Sequence, residues 1–202
     1  MNFKKIILLN SILFLVSTFV LAQDKILLLN GKVLLVKSLN IEENLATVSF
    51  KNFENNKDKK IKRNTIFSIV SEKGIENIFY KEDSVSFNND LSVEGMRMYI
   101  KGLQEAETFK SPMSTVGGLL IGASSSFLGF YGLIPPAIFI SVVGNRAPKM
   151  EKQQVSDKEL LKNDNFVYGY ERKCKARKVN NAAIASLTGF VVGFATLIFL
   201  NK

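Results

Sequence analysis

SPMSTVGGLLIGASSSFLGFYGLIPPAIFISVVGN, residues 111–145, decides how this chain is read, because 35 consecutive positions carry no charge. About 20 apolar residues cross a hydrocarbon core roughly 30 Å thick, so the stretch exceeds one span. Pro135-Pro136 divides it into 24 residues, about 36 Å as helix, and 11 residues, about 17 Å. Only the first piece is long enough to cross. The expectation is one crossing with a Pro-Pro kink and an interfacial extension; a hairpin is the alternative.

Outward from there, residues 182–202 form a second predicted transmembrane helix, with 19 uncharged positions from Ala182 to Leu200. Ala185, Gly189 and Gly193 repeat a small residue every fourth position, and Gly118, Gly122 and Ser126 do the same in the first segment. Such stripes let helices approach closely in lipid, where hydrophobicity supplies no drive. Pairing of the two stripes in an antiparallel hairpin is expected, with homo-oligomerisation through one of them as the alternative. No charge lies inside either span, which argues against an ion pathway or proton relay.

Residues 146–181 form a basic loop with helices. Ser156-Asp157-Lys158-Glu159 has the form of a capping box, and Asn163-Asp164 can cap a helix running into the last span. Arg172, Lys173, Lys175, Arg177 and Lys178 set five cations at the membrane edge. Positive charge in short loops stays cytoplasmic, so this loop is expected inside, attracted to anionic membrane lipid. A nucleic-acid reader would spread its cations over a folded face with interleaved aromatics, so no nucleic-acid partner is expected. Cys174 sits within the block, where cations would lower its pKa, yet it has no base partner.

At the other end, Met1 to Lys5 is a basic n-region, Ile6 to Leu21 an apolar h-region, and Val20-Leu21-Ala22 a small-residue cleavage site. Residues 1–22 are therefore read as a signal peptide, with an uncleaved anchor as the alternative; either one exports the chain from Gln23 onward. In the exported β module, residues 23–83, Lys25–Leu29 and Lys32–Leu39 flank Asn30-Gly31, a hairpin signal of type I′. Asn44 to Phe50 alternates as a half-buried strand, and Lys51 to Asp58 reads as an exposed loop. Ile61 begins a fourth strand, Thr65 to Val70 is β-rich, and Lys73-Gly74 turns into Ile75–Tyr80. Five short strands in under 60 residues predict a small antiparallel barrel or sandwich, SH3-like. Its role is either a partner platform or a structural cap. The cluster Lys57, Lys59, Lys60, Lys62, Arg63 could meet an anion but reads as a solvated loop.

Gln23-Asp24-Lys25-Ile26 followed by Asn30-Gly31-Lys32-Val33 resembles the N-terminal "QD-x-I … NG" module of small exported and membrane envelope proteins of Bacteroidota. The resemblance covers about 60 residues and implies one or two membrane helices after the module, but no activity and no functional residue.

Residues 84–110 are read as a linker and an amphipathic helix, with Met96, Tyr99, Ile100, Leu103 and Ala106 on one face. That helix either packs on the β module or serves as an interfacial or docking face. Ser111-Pro112 restarts the chain as a new helix.

The chain has no His, no Trp and one Cys, which removes His-dependent catalysis, His-ligated metal and internal disulfides. No nucleophile elbow or P-loop occurs, so no catalytic residue, metal or cofactor is assigned. The predicted fold class is an α+β membrane protein: a small β module, an amphipathic helix and a two-helix transmembrane region. The expected function is a non-enzymatic protein of the inner membrane whose periplasmic β module binds or scaffolds an envelope partner. The alternative is an oligomeric pore or transporter accessory subunit assembled through the Gly-rich stripes.

Overall fold

The computed structural model describes residues 23–40, 47–53, 56–82, 90–146, 148 and 155–200. The predicted signal peptide, the start of the strand predicted at Asn44, part of the linker and residues 201–202 lie outside them. The chain divides into two units, one ending at Tyr80 and one beginning at Lys81.

The first unit is an antiparallel six-stranded sheet of β1 (Asp24–Leu28), β2 (Val33–Asn40), β3 (Thr47–Asn52), β4 (Asp58–Lys62), β5 (Ile66–Val70) and β6 (Glu76–Ile78). The strand order is β4-β3-β2-β1-β5-β6. Period-two alternation drives it: Val48 and Phe50 of β3 are buried while Thr47 and Ser49 are only partly covered. Ile26, Leu28, Val36, Ile66 and Ile69 complete that core. Fully burying each such side chain contributes about 1.5–3 kcal/mol, which makes this a core of the water-soluble kind.

The Asn30-Gly31 hairpin forms with a different turn from the one predicted. Gly31 alone takes positive φ, at 84°. Its N–H donates to Leu28 O (3.0 Å), and Leu28 N–H donates to Lys32 O (3.0 Å). This is the three-residue loop with a left-handed glycine, not the two-residue type I′ turn. The Asn30 side chain explains the choice, since its Oδ1 accepts from Lys32 N–H (3.0 Å) and steadies the turn without a left-handed asparagine.

The fourth strand starts at Asp58 rather than Ile61, and a 3₁₀ turn at Arg63–Thr65 separates it from β5; with Glu76–Ile78 pairing as well, the sheet has six strands among the described residues against the five counted from sequence. Lys59, Lys60 and Lys62 thus stand on an edge strand instead of in a loop. Exposed lysines are compatible with a strand there, and they blunt the edge against further pairing.

The second unit contains α1 (Val93–Glu105), α2 (Pro112–Ser125), a 3₁₀ stretch (Ser126–Leu133), α3 (Ile134–Asn145), a short 3₁₀ helix (Lys158–Lys162) and α4 (Asp164–Leu200). Ser92 caps α1 by accepting from Gly95 N–H (3.1 Å). The face predicted from periodicity, Met96, Tyr99, Ile100, Leu103 and Ala106, is buried.

Its partner within this unit is the polar half of α4. A Cβ on Gly102 would collide with the Phe166 carbonyl, and one on Gly169 with the Tyr99 carbonyl, so the two backbones touch. Phe166, Tyr170, Cys174, Leu160 and Ala106 fill the space beside that contact.

Two local predictions are corrected. Asp157, not Ser156, caps the 3₁₀ helix by accepting from Glu159 N–H (2.9 Å). Ser156 is drawn away because its hydroxyl donates to Glu105 Oε1 (2.6 Å), a stronger charge-assisted bond. Pro135-Pro136 makes no kink, since both lie in the first turn of α3, where a missing N–H costs nothing. The chain breaks earlier, at Gly129 (φ 58°, ψ −131°), a conformation that only glycine adopts readily.

Candidate functional site

The six small residues singled out from the sequence meet at one contact. A Cβ on Gly118 would lie 2.8 Å from Ala182 O and 3.3 Å from the Ala185 Cβ. One on Gly122 would strike the Ser186 carbonyl, one on Gly189 the Leu119 carbonyl, and one on Gly193 would lie 2.8 Å from Ala123 O beside Ser126. Backbone therefore rests on backbone, the geometry by which small residues hold helices together in lipid.

The direction differs from the antiparallel pairing expected. Ser111 meets Asn181, whose Nδ2 donates to its Oγ (3.1 Å). Gly118 meets Ala185 and Ser126 meets Gly193, so residue numbers rise together and α2 runs parallel to α4.

After the break at Gly129 the chain comes back. Phe139 of α3 packs on Gly117, Gly144 lies against Val179, and Lys178 Nζ donates to Arg146 O (3.1 Å). Residues 111–145 thus form a helical hairpin whose two ends lie at the same level of α4. The stretch is not one straight helix: α2, at 14 residues, is about 21 Å long and α3, at 12, about 18 Å. The cause is that the break falls at Gly129, near the middle, so neither arm keeps the 24 residues a one-way crossing required.

Exposure separates the two halves of this unit. Phe130 is 84% exposed, Phe199 84% and Leu120 61%, along with many other large apolar side chains of the hairpin and distal α4. Pro112–Asn145 and Asp164–Leu200 are long and apolar enough to cross a membrane. Large apolar side chains exposed together in this way mark an interaction surface.

The predicted cationic cluster divides into two classes. Arg172 Nη1 donates to Tyr99 Oη (2.9 Å), Lys173 pairs with Glu107 (3.2 Å), and Lys178 also sits 5.9 Å over the Phe109 ring. These three tie α4 to the elements beside it. Among the described residues, no ion pair or hydrogen bond takes the side chains of Lys175 and Arg177, nor that of Lys110, which the sequence alone did not single out. The hairpin brings Lys110 and Arg146, 36 residues apart in sequence, to the level of Arg177 and Lys178. A four-residue signal for that rim could have been found only by recognising the hairpin first.

Cys174 is corrected as well. It is fully buried, and burial pushes its thiol up to about 11, outweighing the lowering by Lys178 and Arg177. Tyr170 beside it is pushed up to about 12, mainly by burial. The pair is a packing element, poorly suited to nucleophilic chemistry at neutral pH.

Below the rim, a groove of about 320 Å³ runs between α2 and α4, lined by Thr115, Leu119, Asn181, Ile184, Ala185 and Thr188. Among the described residues no group of His, Cys, Asp and Glu could hold a metal ion. Compared with known proteins, the chain matches no family model, no curated protein and no solved structure.

Proposed function

We propose that this is a non-enzymatic, integral membrane protein of the bacterial cell envelope whose β module binds or scaffolds a protein partner on the periplasmic side of the inner membrane. The observation that carries the membrane part is the segregation of surfaces: large apolar side chains face outward along the hairpin and distal α4, while the sheet core and the apolar face of α1 bury theirs.

The partner part rests on the asymmetry of the sheet edges. β4 is guarded by lysines, whereas β6 is three residues long, preceded by exposed Ile75 (60%) and ending in exposed Ile78 (46%). An open apolar edge suits an added strand from a partner. A four-strand meander whose first strand also pairs with the fifth, across one 3₁₀ turn, supports an SH3-like barrel as the finer description.

The hairpin bears on topology. Residues 81–92 hold no apolar segment able to cross, and the hairpin returns to its starting level, so we assign the β module, α1 and the cationic rim to one face. The cytoplasmic position expected for residues 146–181 is given up with it. Export of residues 23–80 and the positive-inside preference then disagree; we favour the first, because the first segment usually dominates. The alternative of an oligomeric pore component loses its premise, since the Gly stripes that would join copies occupy each other within one chain.

The test has two arms. In a Cys174→Ala background, single cysteines at Glu72 and Lys158 should both react with a membrane-impermeant maleimide in intact spheroplasts; protection of both, or of one, refutes the assignment. A photo-cross-linking residue at Ile78 should capture a defined partner that one at Lys60 does not, and that Ile75→Lys removes. Equal capture at both edges overturns the β6 reading.

A further inference from the structure

We infer that the groove between α2 and α4 is a binding site for one anionic phospholipid, with the phosphate at Arg177 and Lys110 and an acyl chain along Leu119, Ile184 and Thr188. This rests on the proposed membrane location and deepens it.

The order of side chains along the groove carries the argument. On α4, Arg177, Asn181, Ile184 and Thr188 succeed one another at spacings of four, three and four, so they share one face. On α2, Ser111, Thr115 and Leu119 do the same, and Lys110 precedes them. The Asn181–Ser111 hydrogen bond (3.1 Å) holds the two rows side by side at the mouth.

The lining passes from neutral hydrogen-bonding groups (Asn181, Thr115) to apolar ones (Leu119, Ile184, Ala185) with Thr188 one turn beyond, while outside the lining Arg177 stands one turn before Asn181 on the same face of α4 and Lys110 directly precedes Ser111, the hydrogen-bond partner of Asn181. That is the polarity profile of a phospholipid from phosphate through ester to chain. A guanidinium fits a phosphate in bidentate fashion. Arg177 and Lys110 have no ion-pair partner among the described residues, unlike Lys173, so no internal carboxylate competes. The volume, about 320 Å³, falls at the lower end of small-ligand clefts, roughly 300–1,000 Å³.

The whole chain, purified in a mild detergent with equal amounts of phosphatidylglycerol and phosphatidylcholine, tests this by native mass spectrometry. Phosphatidylglycerol should be retained preferentially, one per chain. Arg177→Gln should reduce that preference about fivefold, the change equivalent to about 1 kcal/mol for one cation near the surface. Thr188→Trp, at an exposed position of the groove lining, should exclude the chain and reduce both lipids. Lys173→Gln should leave the preference unchanged. Equal retention of both lipids by the wild-type chain, or no effect of Arg177→Gln and Thr188→Trp, overturns the site. Millimolar inorganic phosphate should not displace the lipid; displacement of phosphatidylglycerol from the wild-type chain would mean a phosphate site instead and overturns the lipid reading. Resistance of the chain to alkaline carbonate extraction is scored separately, so loss of the groove and loss of the membrane reading give different results.

Discussion

The two halves of the molecule are held together in opposite ways. In the sheet, Ile26, Val36, Val48, Phe50, Ile66 and Ile69 bring large side chains together and leave water outside. Along α2 and α4, Gly118, Gly122, Gly189 and Gly193 bring backbones together by having no side chain, while the large residues turn outward. On the proposed membrane location, the difference lies in the solvent. Apolar burial drives packing only where water is the alternative, and in lipid the remaining gain is close dispersion contact. Helix α4 contains both regimes, with Phe166, Tyr170 and Cys174 buried against α1 and, further along, Ala185 and Gly189 against α2.

If that contrast holds, the largest effect should come from emptying the sheet. Ile26→Ala should lower stability by about 2–5 kcal/mol in urea, read from proteolytic susceptibility of the sheet, with little change in the helices. A change that large in the helices as well would break the division into two units.

Adding a methyl should do to the helices what removing one does to the sheet. Gly122→Ala puts a Cβ onto the Ser186 carbonyl and should cost about 1–3 kcal/mol in an SDS titration of helix content. A neutral result would mean that α2 and α4 are not in contact.

The water-type half of α4 should also carry a pH signature that the lipid-type half lacks. The Cys174 thiol has its folded value raised from 9.0 to about 11, so its contribution is complete below pH 9 and is lost as pH rises through about 11. Thermal stability should therefore drop across pH 9–11, and Cys174→Ala should reduce that drop, leaving the part that Tyr170, raised from 10.0 to about 12, adds above pH 10. At pH 7 a maleimide should label Cys174 slowly until denaturant is added.

Tyr99→Phe, which removes the hydroxyl partner of Arg172, should cost about 0.5–1.5 kcal/mol in the same titration. Smallest of all, Ser68→Ala should be close to neutral or slightly stabilising, because the buried Ser68 hydroxyl has no hydrogen-bond partner among the described residues.

Much of this was legible residue by residue. The α1 face repeats at three and four, the Asn30-Gly31 turn stands between two apolar runs, and the small-residue stripes recur every four positions; each pattern is local and survives any tertiary arrangement. The β4 strand was not legible, because Asp58-Lys59-Lys60 has no alternation and becomes a strand only by pairing with β3. The groove and rim were not legible either, since Lys110 and Arg146 mean nothing together until the hairpin closes.

Periodicity, composition and the uncharged runs by themselves determined that an antiparallel β module precedes long apolar helices, and which residues those helices press together. Only the tertiary structure decided that α2 runs parallel to α4 and that residues 111–145 turn back. The physical reason is that a stripe of small residues has no polarity: it fits a partner stripe in either direction. The direction is set elsewhere, by a left-handed glycine at 129 that reverses the chain and by the Ser111–Asn181 and Lys178–Arg146 hydrogen bonds that close its mouth.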